Sequence, residues 1–261
     1  MKLSFKKLGT GKPLLILHGL FGSADNWQTL GKQFAENFTV YLIDLRNHGQ
    51  SPHSDEWDYQ VMSEDILELI NAEELNKVIL LGHSMGGKVA MQFTVSHSER
   101  VEKLVVVDIG PKKYPVTNQF VIDAIDSLDL DIYKNRKEID EKLIPMIPDY
   151  GTRQFLLKNL YWNDEQKLAW KFNYPVLKEK IKAVGEVTPM PETPIEIPVI
   201  FIKGEKSDYI FSGDIKLITE MFPQAKIVTM PGAGHWVHAD KPQEFFKAVN
   251  EFLLEENTQS V

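Results

Sequence analysis

Ser84 stands at the centre of Gly82-His83-Ser84-Met85-Gly86, a G-x-S-x-G pattern with a strand-like run before it and a helix-like run after it. A serine hydroxyl is a weak nucleophile until a base removes its proton, and that base needs a third group to orient it. Of the seven histidines, His235 is the best candidate base. It lies in Gly232-Ala233-Gly234-His235-Trp236, after the last predicted strand, and follows the serine in chain order. His238, three residues on, is given an exposed or supporting role, because Ala239-Asp240-Lys241-Pro242 already begins the next element. Two aspartates compete for the third position. Asp108 ends the run Leu104-Val105-Val106-Val107, and Asp208 lies just beyond Val199-Ile200-Phe201-Ile202. Either residue could also serve as a cap, and spacing alone leaves both open.

Acyl transfer also needs two backbone N–H groups for the developing oxyanion. One is expected from Met85, the residue after the serine, and the other from the loop after an early strand. In Leu14-Leu15-Ile16-Leu17-His18-Gly19-Leu20-Phe21-Gly22 the amide of Leu20 is the candidate, with Phe21 as the alternative. His18, His48 and His83 are read as hydrogen-bonded structural groups, and Asp44 and Arg46 as part of a structural turn.

These residues must be held by elements of the right kind. Lys77 to Leu81 reads as a buried parallel strand. Gly87 to Ser96 reads as a helix, with Val89, Ala90, Phe93 and Thr94 at helical spacing. Glycines two before and two after the serine permit the tight turn between them. Further strands are predicted at Pro13–Leu17, Val40–Asp44, Leu104–Val107, Val199–Ile202 and Ile227–Val228, with Leu3–Leu8 as an antiparallel edge. Helices are predicted at Asp25–Glu36, Val61–Ala72, Gly213–Phe222 and Gln243–Leu254. The alternation gives an α/β fold, a mostly parallel sheet with helices on both faces.

Between Pro111 and Met190 the alternation stops. Short amphipathic helices are predicted at Phe120–Leu128, Arg136–Ile144, Thr152–Leu160 and Trp162–Trp170, and no strand. The division is therefore a core of residues 1–110 and 191–261, with 111–190 as a helical cap inserted after the strand ending at Asp108. Such an insertion would lie over the strands' C-terminal ends, where these sheets carry their sites. Phe21, Phe155, Tyr161, Trp162 and Trp236 are the substrate-binding candidates, and Phe120, Leu156, Trp170 and Phe172 add apolar surface. Lys112, Lys113 and Arg153 are cations that a phosphorylated carrier such as CoA could meet. The polar residues Glu255 to Val261 are expected to fray.

At 261 residues the chain suits one large α/β domain. A net charge of −8 argues against nucleic acid or an anionic membrane as partner. With no cysteine, disulfides and thiol nucleophiles are excluded. The first residues lack the apolar core of a signal peptide and no run approaches a membrane span, so a cytoplasmic location is expected. The sequence assigns no oligomeric state.

The chain resembles the α/β-hydrolase superfamily, and more narrowly the small esterases of the bacterial YbfF type and their mitochondrial relatives. The likeness rests on His18-Gly19-Leu20-Phe21-Gly22-Ser23, Asp44-Leu45-Arg46-Asn47-His48-Gly49-Gln50-Ser51, Gly82-His83-Ser84-Met85-Gly86-Gly87-Lys88, Asp108-Ile109-Gly110-Pro111 and Gly232-Ala233-Gly234-His235-Trp236-Val237-His238-Ala239. The resemblance implies an esterase or thioesterase acting on short to medium acyl groups, with a helical cap over the pocket and no metal or cofactor. It also implies Asp108 as the acid. In such enzymes the later loop carries no usable carboxylate, and the position where an acid would otherwise stand, three after the loop glycine, is Ser207 here. Asp208 departs from that pattern by one register. Carbon–carbon bond hydrolysis and perhydrolysis use the same triad, and a ligand-binding receptor can retain it. Haloalkane dehalogenation needs a carboxylate where Ser84 stands.

Overall fold

In the computed structural model, residues 1–115 and 119–255 are described, and of the polar tail 256–261 lie outside the described residues. Nine strands and ten α-helices are present among them. The strands are β1 (Phe5–Leu8), β2 (Lys12–Leu17), β3 (Phe38–Ile43), β4 (Val78–His83), β5 (Val101–Val107), β6 (Leu160–Trp162), β7 (Leu168–Trp170), β8 (Val199–Gly204) and β9 (Ala225–Met230). Seven of them form one sheet in the order β1-β3-β2-β4-β5-β8-β9. Only β1 runs antiparallel, pairing Phe5 with Ile43 and Leu8 with Val40.

The central strands are apolar at nearly every position because both faces are covered. Leu14 and Ile16 enter one buried layer, with Ile79, Leu81, Val105 and Val107. Leu15 and Leu17 enter the other, with Leu80, Leu104 and Val106. Successive side chains on a strand point to opposite faces, so a strand buried on both sides must be apolar throughout. Helices α1 (Gln28–Phe34) and α10 (Pro242–Leu254) contribute Leu30, Phe34, Phe245 and Val249 to the first layer. Helices α2 (Tyr59–Ala72) and α3 (Met85–Ser96) contribute Met62, Ile66, Val89 and Phe93 to the second. Helices α8 (Ile215–Met221) and α9 (Val237–Asp240) complete the core.

Between β5 and β8, which pair in parallel, lie α4 (Gln119–Asp126), α5 (Arg136–Leu143), α6 (Tyr150–Leu157) and α7 (Tyr174–Glu179). One expectation fails in this insertion. Trp162–Trp170 is not a helix: β6 and β7 form an antiparallel hairpin, Tyr161 opposite Ala169. The side chain of Asn163 accepts N–H groups from Glu165 and Lys167, and Gln166 takes a positive φ of 59°. Such side-chain bonding offers the backbone an alternative to the helical ladder, and it overrides the aromatic spacing. No helix among the described residues is long and apolar enough to cross a membrane.

Candidate active site

Ser84 follows β4 directly and caps α3, with φ 52° and ψ −116°. A non-glycine residue pays about 1–3 kcal/mol for a conformation of this kind. The surroundings enforce it. A Cβ on Gly82 would lie 2.2 Å from the Gly86 oxygen, and one on Gly86 would lie 2.3 Å from the Leu17 oxygen. The Ser84 amide donates to the Val107 carbonyl at 3.0 Å, which ties the turn to the end of β5. Met85 opens α3, so its N–H has no intrahelical acceptor.

Asp108 leaves β5 with a positive φ of 49° and is fully buried at 0% exposure. Its Oδ1 accepts the Gly204 N–H at 2.9 Å. Its Oδ2 accepts from His235 Nδ1 at 2.8 Å and from the Ser207 hydroxyl. Because the carboxylate accepts, the His235 proton sits on Nδ1 and leaves Nε2 as the free acceptor. Tyr209 stacks on the His235 ring, centroids 4.0 Å apart at 19°. His83 Nε2 donates to the His235 carbonyl at 2.9 Å. Ser84 and His235 line the same cavity, with no hydrogen bond between their side chains.

Of the two competing aspartates, only Asp108 is brought to the histidine. Asp208 is exposed and makes no hydrogen bond or ion pair among the described residues. Ser207 supplies a hydroxyl contact that sequence reasoning missed. Its only signal was its register, three residues after Gly204.

The loop after β2 is held from several sides. Gly22 N–H donates to the Gly19 carbonyl at 2.9 Å. Phe21 takes a positive φ of 57°, its N–H donates to His48 Nε2 at 3.3 Å, and its carbonyl accepts from Asn159 Nδ2 at 2.6 Å. The Leu20 amide has no acceptor among the described residues. His18 Nε2 accepts the Leu45 N–H at 3.0 Å, and its Nδ1 donates to the Gly19 carbonyl. Both rings are buried and neutral, and burial pushes His18 down to about 4 and His48 to about 3. Asp44 accepts N–H groups from Ala24 and Gln50, and burial pushes its carboxyl up. Arg46 pairs with Asp65, Nη2 to Oδ1 at 2.8 Å. His238 is buried and stacked on Trp27 at 4.1 Å, so of its two expected roles the exposed one is excluded.

A cavity of about 220 Å³ contains Ser84, His235, Leu20 and Phe21, and the insertion covers it with Phe155 and Leu156. Phe155 packs on Trp236, ring centroids 4.2 Å apart. Phe21, Phe155 and Trp236 thus line the cavity as expected substrate-binding candidates would. Tyr161 and Trp162 do not: they sit on the hairpin, 41% and 49% exposed. The three cations that the sequence offers to a phosphorylated carrier are each paired. Lys112 meets Asp214 at 2.5 Å, Lys113 meets Glu186 at 3.2 Å and Arg153 meets Asp140 at 2.7 Å.

The family described as the alpha/beta hydrolase fold matches residues 12–242. A solved structure described as a marine microorganism esterase superposes with a TM-score of 0.94 at 44% identity, covering 97% of this chain and 99% of that one. The sn-1-specific diacylglycerol lipase ABHD11 of Danio rerio is 37% identical over 259 residues, 95% of this chain and 80% of its own length. Esterase YbfF of Escherichia coli K12 is 33% identical over 242 residues, 92% of each chain.

Proposed function

The chain belongs to the alpha/beta hydrolase fold family and is a hydrolase, and we propose that it cleaves carboxylic esters of short to medium acyl chains through an acyl-enzyme on Ser84. In this reading His235 is the base and Asp108 the acid that orients it. The observation that carries the proposal is the His235 Nδ1–Asp108 bond of 2.8 Å beside a serine held at φ 52°.

The chemistry follows from which ring nitrogen of His235 the Asp108 carboxylate leaves free. His235 Nε2, unprotonated, takes the Ser84 proton as Oγ attacks the carbonyl carbon. The oxyanion is received by the amides of Met85 and Leu20. Leu20 is preferred to Phe21 because the Phe21 amide already donates to His48. His235 then protonates the departing alkoxide, and water repeats the sequence on the acyl-enzyme. Residues 111–190 act as the cap over this pocket. Lys112, Lys113 and Arg153, the cations first considered for a phosphorylated carrier, are each engaged by a carboxylate and give no support to a CoA thioester.

Steady-state hydrolysis of p-nitrophenyl esters tests the assignment. Turnover is expected in the wild type and absent in Ser84→Ala. Asp108→Asn should lower kcat by about 10⁴, the loss expected when the orienting acid is removed, while Asp208→Asn should stay near wild type. Near-wild-type turnover in Asp108→Asn would reject the acid assignment. Ligand retention with a single slow turnover would instead indicate a receptor.

A further inference from the structure

Two cavities meet at Ser84, and they differ in which members of the site they contain. The cavity of about 220 Å³ includes His235 and Leu20 together with Phe21, Phe155 and Trp236. The other, about 20 Å³, includes Ser84 and Met85 but not His235, and is walled by Tyr59, Ile109, Tyr114 and Val184. Tyr209 lies on the wall of both.

We infer that the small cavity receives the acyl group and the aromatic cavity the alcohol, which makes short-acyl esters of ring-sized apolar alcohols the substrate class. The inference rests on the serine-esterase reading above and narrows its acyl range to the short end. When Ser84 Oγ bonds to the carbonyl carbon, the C–O bond to the alcohol breaks, and the serine's proton passes through His235 to the alkoxide. The alkoxide must therefore lie within hydrogen-bond reach of His235, on the side of the larger cavity. With the oxyanion at the two amides, the acyl substituent is left facing the cavity from which His235 is absent.

Room there is for about one water-sized group, which suits the methyl of an acetyl ester. The walls are fixed by hydrogen bonds to backbone. Tyr59 donates to the Val184 carbonyl at 2.7 Å. Tyr114 donates to the Tyr209 carbonyl at 2.7 Å and accepts the Gly110 N–H at 2.8 Å. Lys88, buried in α3, donates to the carbonyls of Pro111 and Lys112 at 3.1 and 2.6 Å. Gly185 presses so closely on the Tyr114 backbone that a Cβ would lie 2.3 Å from its carbonyl oxygen. A longer acyl chain would have to break these bonds. The alcohol side is open by contrast: Phe155, His235 and Trp236 continue into a groove of about 790 Å³.

The test varies the two halves of the ester separately. Along p-nitrophenyl acetate, butyrate and octanoate, kcat/KM is expected to be highest for acetate and about a hundredfold lower for octanoate, a discrimination within reach of a pocket with room for one small group. Along ethyl, benzyl and 2-naphthyl acetate it should rise. Val184→Ala should move the acyl optimum to butyrate. Phe155→Ala should raise KM for benzyl acetate and leave the acyl optimum in place. Octanoate preferred to acetate by the wild type, which requires no variant, would overturn the inference, as would an acyl optimum that moves with Phe155→Ala and not with Val184→Ala. Absence of turnover on every ester, equal to Ser84→Ala, would remove the esterase reading and this inference with it.

Discussion

Ser207 donates to the same Asp108 oxygen that receives the His235 proton donor, so it competes for and polarises the lone pairs that orient the imidazole. A hydrogen bond to a charged group is worth about 1.5–3 kcal/mol. Ser207→Ala is therefore expected to lower kcat at least about tenfold with KM little changed, and Ser207→Thr, which keeps the hydroxyl, to recover most of it. Steady-state kinetics on one ester separates this from a loss of folded protein, which would not be rescued by threonine in kcat alone. The identity of Ser84 and His235 as candidates was legible because the glycine spacing and chain order are local signals. The choice between Asp108 and Asp208 was not legible from spacing, since it depends on which strand end faces the histidine loop. Ser207 was marked in the sequence only by its register after Gly204, and its role was not legible because it exists through a contact 99 residues away along the chain.

At the scale of elements, the core strands and helices were readable to within a few residues, because burial on both sheet faces forces continuous apolar runs. The insertion was less readable. Its helices α4, α5 and α6 lie close to their predicted ranges, but the β6–β7 hairpin depends on the side-chain bonding of Asn163, which a helical count of aromatic residues overlooks. Helix α6 matters to the chemistry through the residues just beyond it. Asn159 reaches 138 positions back to hold the Phe21 carbonyl, and Phe21 belongs to the loop that carries the Leu20 amide. Asn159→Ala should release that loop and reduce kcat about tenfold, equivalent to about 1.4 kcal/mol, with a smaller change in KM. An unchanged kcat would show that the loop is held adequately by His48 and Gly22 alone.

Across the whole molecule, buried neutral histidines make stability depend on pH. His18 and His48 are held at about 4 and 3, against an ordinary value of 6.5, by desolvation. Folding depresses their affinity for protons, so between about pH 6.5 and 4 the unfolded chain binds protons that the folded one refuses. Stability is thus complete above that window and falls as pH drops through it. For His18 alone the loss by pH 4 is about 3 kcal/mol. Urea unfolding from pH 7 to pH 4 should show this decline, and His18→Gln should flatten it even if it starts from a lower midpoint.

The backbone strain at Ser84 has a consequence over evolutionary time. Glycine tolerates a positive φ without penalty, so Ser84→Gly should unfold at a higher temperature than the wild type, by an amount corresponding to about 1 kcal/mol after the entropy of the unfolded glycine is counted. Thermal melts of the two proteins would decide this. The Ser84 side chain, whose Cβ is what the positive φ strains, would then be kept at a cost to the fold and be open to loss by drift. Its persistence would require selection for turnover in every generation, because selection for stability alone would remove it.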